Sequence, residues 1–195
     1  MARLLISSPD KQEFVMNKIW MNTLIWVLAT MAALVLAFAT PSDTLVMGRL
    51  PSMTVQKLDR QEIALPAGLP GERTLALIAF HGSHRADIES WVHGLRLHST
   101  PSIAWVRMPV LRSPTDAADR SALETRLIAR YPNAGDRDKL VPVFTDRAAF
   151  VRSAGLASTD QAYAVVVNRR GEVLARVGGQ FDESKAQALR ETLLR

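Results

Sequence analysis

The chain has 195 residues, 24 Lys and Arg against 19 Asp and Glu, and a hydrophobic share of 48 %, which fits one ordinary domain with an appendage and is too apolar for a disordered arm. Its formal charge of +5 is scattered among acids, without the basic stripe that nucleic-acid binding needs. It contains no cysteine, which removes disulfides, thiolate nucleophiles and cysteine-ligated metals together, because each needs the sulfur itself.

Residues 1–18 form a short tail carrying Arg3, Lys11 and Lys18, and residues 19–40, IWMNTLIWVLATMAALVLAFAT, carry no charge. About 20 apolar residues at 1.5 Å each span a hydrocarbon core of about 30 Å, so this segment reads as a transmembrane anchor. The basic tail favours a cytoplasmic amino terminus with the rest on the exported, periplasmic side, although Arg49, Lys57 and Arg60 pull the other way. The same stretch reads as a signal peptide starting at Met16, with Lys18 as its basic start and Ala37 and Ala39 as the small residues of a cleavage site near Ala39. Anchor or cleaved signal, and Met1 or Met16 as the start, both stay open. Either way the remaining residues are expected across a membrane, tethered or secreted to the periplasm.

Residues 41–52, PSDTLVMGRLPS, hold two prolines and read as a linker, and residues 53–195 as the folded domain. MTVQKL and EIALP, joined by a DRQ turn, predict a hairpin. RTLALIAF is a near-continuous apolar run that suits a central strand covered on both faces. The helix after it has Ser83 as its expected N-cap and Asp87 in its first turn, with Ile88, Trp91, Val92 and Leu95 on one buried face. SIAWVRMPV predicts a strand, and TDAADRSALETRLIARY a helix capped by Thr115 or Asp116, with Leu123, Leu127 and Tyr131 on one stripe and Pro132 ending it. KLVPVF predicts a further strand. RAAFVRSAGL predicts a short helix capped by Asp146 and ended by Gly155. QAYAVVVNRRGEVLARVGG is two apolar runs around a polar turn containing Gly171, hence a hairpin. A last helix, capped by Asp182, buries Ala186, Leu189 and Leu193. The order β-β-β-α-β-α-β-α-β-β-α predicts an α/β fold with a mixed sheet.

The candidate site is the turn in IAFHGSHRADIESW, where the central strand meets the first helix. All four histidines, His81, His84, His93 and His98, fall in or just after it. His81 and His84 flank the turn, and Glu89 with His93 stand one helical turn apart, so His81, His84 and His93 are the metal candidates. Ser83 between two histidines has no nucleophile-elbow sequence around it and gives no support for a hydrolase. No Gly-rich phosphate-binding pattern follows a strand. Backbone N–H groups between Gly82 and Arg85, with the charge of Arg85, could hold an anion. Arg169 and Arg170 are expected at a solvated hairpin tip.

The element order, with a central strand meeting a helix at a polar turn and a terminal VVVNRRGEVLARVGG hairpin followed by a helix, resembles the thioredoxin-like fold over about residues 53–195. It is closest to membrane-tethered or periplasmic relatives and peroxiredoxin-like proteins. A weaker likeness, through the helix reaching Trp91 and the later VFTDRAAF, is to the cysteine-free, thioredoxin-like assembly factors of the mitochondrial ATP synthase and their bacterial relatives. The resemblance implies a Cys-x-x-Cys pair at the start of the first long helix, where this chain has Arg85 and Ile88, and a cis-proline near Ala162. Neither is present. The resemblance therefore implies a scaffold without thiol redox activity, and no cofactor is expected. The expected function is a non-catalytic binding or assembly module whose partner turn is His81, Ser83, His84 and Arg85. A periplasmic metal-binding protein using His81 and His84 is the alternative.

Overall fold

The structure is a computed structural model and describes residues 46–194. The tail, the anchor or signal segment and the first part of the expected linker lie outside the described residues. Among the described residues no helix is long and apolar enough to cross a membrane.

The seven strands are β1 (Met53–Gln56), β2 (Glu62–Leu65), β3 (Arg73–Ala79), β4 (Trp105–Leu111), β5 (Val143–Phe144), β6 (Tyr163–Asn168) and β7 (Val173–Gly178). The helices are α1 (Arg85–Gly94), α2 (Ala117–Arg130), α3 (Ala134–Asp138), α4 (Arg147–Ser153) and α5 (Glu183–Leu193). β1 and β2 form the expected antiparallel hairpin, while the other five make one sheet in the order β5-β4-β3-β6-β7. β3 lies parallel to β4 and antiparallel to β6, and β4 is parallel to β5. The sheet is therefore mixed, as the alternation of strands and helices predicts.

β3 is central because its residues are apolar on both faces: Ala76 and Ile78 join one buried cluster, Leu75 and Leu77 the other. The first cluster is closed by Val55 and Leu65 of the hairpin and by Phe150 and Val151 of α4. The second is closed by Ile88, Trp91 and Val92 of α1 and by Ala186 and Leu189 of α5. Three helix starts use the expected aspartates. The Asp116 carboxylate accepts from the Asp119 N–H at 2.8 Å, Asp146 from Ala149 at 2.9 Å, and Asp182 from Ser184 at 3.0 Å.

Three expectations need correction. Residues 46–50 pack on the sheet where a linker is expected: the Met47 N–H donates to Val173 at 2.9 Å, the Val173 N–H to Gly48 at 2.9 Å, and Leu50 is buried. They strap part of the β7 edge, whose backbone groups would otherwise stand unpaired. KLVPVF contributes only Val143–Phe144 as a strand, plus an isolated bridge between Leu140 and Arg107, because Pro142 has no N–H to donate. α2 buries only Leu127 of its expected stripe, Leu123 being half-buried, and the short α3 follows it.

Candidate functional site

β3 is followed by Phe80, whose ring is held edge-on by Phe150 and Tyr163, each at 6.3 Å between centroids. This fixes the point from which the next four residues leave the sheet. Gly82–His84 form a single 3-10 turn, and the N-cap of α1 is His84. The expected cap, Ser83, is exposed inside that turn and forms no capping bond. The 3-10 turn takes up Gly82–His84, so the cap position falls at His84, one residue later than expected.

His84 is turned into the protein and only 6 % exposed. The Phe80 N–H donates to its Nδ1 at 3.3 Å, which leaves Nε2 as the protonated nitrogen of the neutral ring. Burial lowers its pKa from the ordinary value of 6.5, and the neighbouring His81 lowers it further, against the Asp160 backbone and the Asp87 carboxylate, which raise it. His81 stands outside, exposed, its ring perpendicular to that of His84 at 5.3 Å.

On the other side of the turn lies a small groove of about 60 Å³. Ile88, Pro109, Leu111 and Leu127 form its apolar floor, with His81, Arg85 and Arg130 on the rim. Gly82 lets the rim close: a Cβ there would lie 3.2 Å from Nη1 of Arg130. The Arg85 guanidinium sits 5.9 Å from the Tyr131 ring centroid. Burial raises the Tyr131 pKa, opposed by Arg107 and Arg85, so the phenol keeps its proton at neutral pH. Among the described residues, Arg85 and Arg130 make no ion pair. The rim thus offers two unpaired guanidinium groups above an apolar floor.

Under the groove, β4 contributes a buried charge that the sequence does not reveal. Arg107 is 3 % exposed, and it donates to Asp136 at 2.9 Å and to Glu89 at 3.1 Å. Its guanidinium also lies 5.0 Å from the Trp105 centroid and 5.5 Å from that of Tyr131. Its Nε has no partner. The network ties α1, β4 and α3 together beneath the turn.

The four histidines separate. His81 and His84 are side by side, His93 is exposed further along α1, and His98 faces Asp136 at 3.8 Å and the Trp105 ring at 5.4 Å. Glu89, the expected helical companion of His93, is taken by Arg107. Among the described residues no three His, Asp or Glu side chains gather as a metal site would require. Ile88, one of the two positions aligned with the redox pair, is buried in the core, whereas Arg85 is exposed on the groove rim. Ala162 is buried directly before β6. Arg169 and Arg170 stand at the exposed tip of the β6–β7 hairpin, Arg169 beside Glu72 and Arg170 beside Glu172.

No protein-family model and no curated protein matches the chain in sequence. Solved structures do match in fold. A candidate electron transfer protein from Aquifex aeolicus VF5 aligns with 14 % identity and a TM-score of 0.53, over 77 % of this chain and 98 % of its own. BsSco, a member of the Sco family of cytochrome c oxidase assembly proteins, aligns with 15 % identity and a TM-score of 0.51, over 76 % and 95 %. At this identity the likeness establishes the fold alone. The domain has a thioredoxin-like fold, and it has it without a cysteine.

Proposed function

We propose that this domain is a non-catalytic binding or assembly module on the exported side of a membrane, and that its partner is engaged at the β3–α1 turn and the groove beside it. The observation that carries this reading is the state of the helix start. The residue at the N-cap is a buried imidazole whose Nδ1 is occupied by the main chain, and the groove holds guanidinium groups, the exposed imidazole of His81 and a phenol, with no thiol and no carboxylate beside them to activate a nucleophile. Such a surface suits the holding of a partner chain. BsSco, with the same fold, belongs to a family of assembly proteins, which supports an assembly role without assigning one.

The rim chemistry favours a partner segment carrying a carboxylate next to an apolar residue, since two guanidinium groups above an apolar floor match that pair of features. The test is a photo-crosslinker at the exposed Ser83, in cells making the full chain, with a second crosslinker at Glu191 as control. A discrete adduct at Ser83, lost when Arg85 and Arg130 are changed to Glu, is expected. Identical adducts at both positions, or none at Ser83, would defeat the reading. An alkaline phosphatase fusion to the carboxyl terminus tests the exported side: activity is expected, and an inactive fusion would overturn that part.

Metal binding by His81 and His84 rests on the 5.3 Å separation of their rings. It ranks second because the Nδ1 atom of His84 is already engaged. Calorimetric titration with zinc and copper decides it: micromolar binding abolished by His81→Ala would bring it to first place.

A further inference from the structure

A second cationic cluster lies at the same end of the sheet, away from the turn. β4 and β5 run parallel, with Leu111 opposite Phe144, so the loops that follow them leave the sheet side by side. The Thr145 N–H donates to the Leu111 carbonyl at 2.9 Å and joins them. Between them opens a cavity of about 450 Å³ lined by Arg112, Ser113, Thr145, Asp146, Arg147 and Ala148. It lies outside the carboxyl ends of these two parallel strands.

The two arginines share this cavity. Arg147 is aimed by its Nε–H, which donates to the Val110 carbonyl at 3.1 Å, and its two terminal nitrogens remain for other partners. Arg112 is exposed on the facing loop. Among the described residues neither guanidinium is in an ion pair. The acid beside them, Asp146, accepts from the Ala149 N–H at 2.9 Å, and its pKa is lowered by that bond and by a second one from Ala148, so it stays ionised and the lining carries two positive charges against one negative. The same bonds occupy the first N–H groups of α4, so whatever the cavity attracts is attracted by the arginines. Arg147 has its pKa lowered by burial first and then by the charge of Arg112. Two like charges held together and partly desolvated repel, and an anion between them reverses the sign of that energy.

We propose that Arg112 and Arg147 form a binding site for a phosphate group, with the hydroxyls of Ser113 and Thr145 as additional donors. A phosphate has enough oxygens to accept from two guanidinium forks and a hydroxyl at once. The group could belong to a soluble phosphorylated compound or to a lipid headgroup. The site stands independently of the function proposed for the turn.

Thermal melting of the full chain, reconstituted in phosphatidylcholine vesicles at constant ionic strength, tests it with inorganic phosphate replacing chloride. Melting is expected to rise with phosphate in the wild type. In Arg112→Gln, phosphate binding should weaken by about tenfold or more, the loss of one charge-assisted contact. In chloride alone that variant should melt no lower than wild type, because removing the repulsion costs nothing. Arg112→Lys should restore part of the phosphate response. A parallel reconstitution in phosphatidylglycerol without phosphate separates the sources: stabilisation there that needs Arg112 identifies a headgroup ligand, and its absence alongside a phosphate response identifies a soluble one. Equal phosphate responses in wild type and Arg112→Gln would overturn the proposal, as would no Arg112-dependent response in either arm.

Discussion

The Phe80 amide donates its hydrogen to Nδ1 of His84, 3.3 Å away across the β3–α1 turn. A protonated imidazole cannot accept that bond, so the turn is built around a neutral ring.

The pH dependence of stability follows. The folded pKa of His84 lies below its ordinary 6.5 because the ring is buried and faces His81, so on acidification the unfolded chain takes up the proton first. The contribution of His84 is complete above about pH 6.5 and drains away as pH falls from there through the folded value. Melting curves between pH 5 and 7.5 should show that decline. His84→Asn keeps an acceptor for Phe80 and removes the titration, and it should flatten the curve in this window. An unchanged slope would mean that other groups cause it.

Arg107 should be the most costly charge to remove. Arg107→Ala leaves Glu89 and Asp136 without their buried partner and opens a cavity beside Trp105, for a loss of about 3 kcal/mol. Arg107→Met fills the space and should lose less. With Glu89→Gln added, the cost should shrink again, since one stranded charge is gone. Urea denaturation of five proteins, wild type and Glu89→Gln alone included, measures this. Additive losses would show that the network does not act as a unit.

Gly155 has φ of +66°, and a Cβ there would lie 2.0 Å from the Met47 carbonyl oxygen. Gly155→Ala therefore both strains the backbone and pushes residues 46–49 off β7. Expected are a lower melting temperature and faster cleavage near Met47 by a protease at low concentration. Protection equal to wild type would mean that the strap survives the substitution.

Trp91, on the inner face of α1, is fully buried, and its Nε1–H donates to the Gly179 carbonyl at 2.9 Å. Trp91→Phe retains most of the packing and loses this bond, for about 1–2 kcal/mol. Trp91→Ala also leaves a cavity and should cost about 3–5 kcal/mol. Similar values for the two variants would mean that the bond outweighs the ring.

The parts legible in the sequence are those set by near neighbours. Ile88, Trp91, Val92 and Leu95 follow helical spacing and are buried together. Asp116, Asp146 and Asp182 act within three residues of themselves. The hairpin signal around Gly171 is confirmed by its φ of +81°. Ser83 misled because a cap depends on the tightness of the turn before the helix, which composition does not encode. Arg107 was invisible as a core residue because its partners lie 18 and 29 positions away. Arg130 and Tyr131 belong to the groove only once the topology has folded α2 back over the end of β4. Residues 46–50 read as a linker because what fixes them is mainly backbone pairing, to Val173 of β7, Ser153 and Gly171, with Leu50 as the one buried side chain, and such pairing carries no side-chain pattern.

The single buried residue of α2 bears on how the groove recognises anything. One wall is α1 and the sheet, held by the core, and the other is a fourteen-residue helix secured mainly through Leu127. Amide protons in α2 should exchange with solvent well ahead of those in α1 and β3, because a helix with little apolar contact opens at small cost. A cleft with one rigid and one yielding wall is selective at one end and tolerant at the other. Of the two guanidinium groups, Arg85 stands on the rigid wall and Arg130 on the yielding one, so the spacing between the charges can adjust to the occupant while its contact with the turn stays fixed.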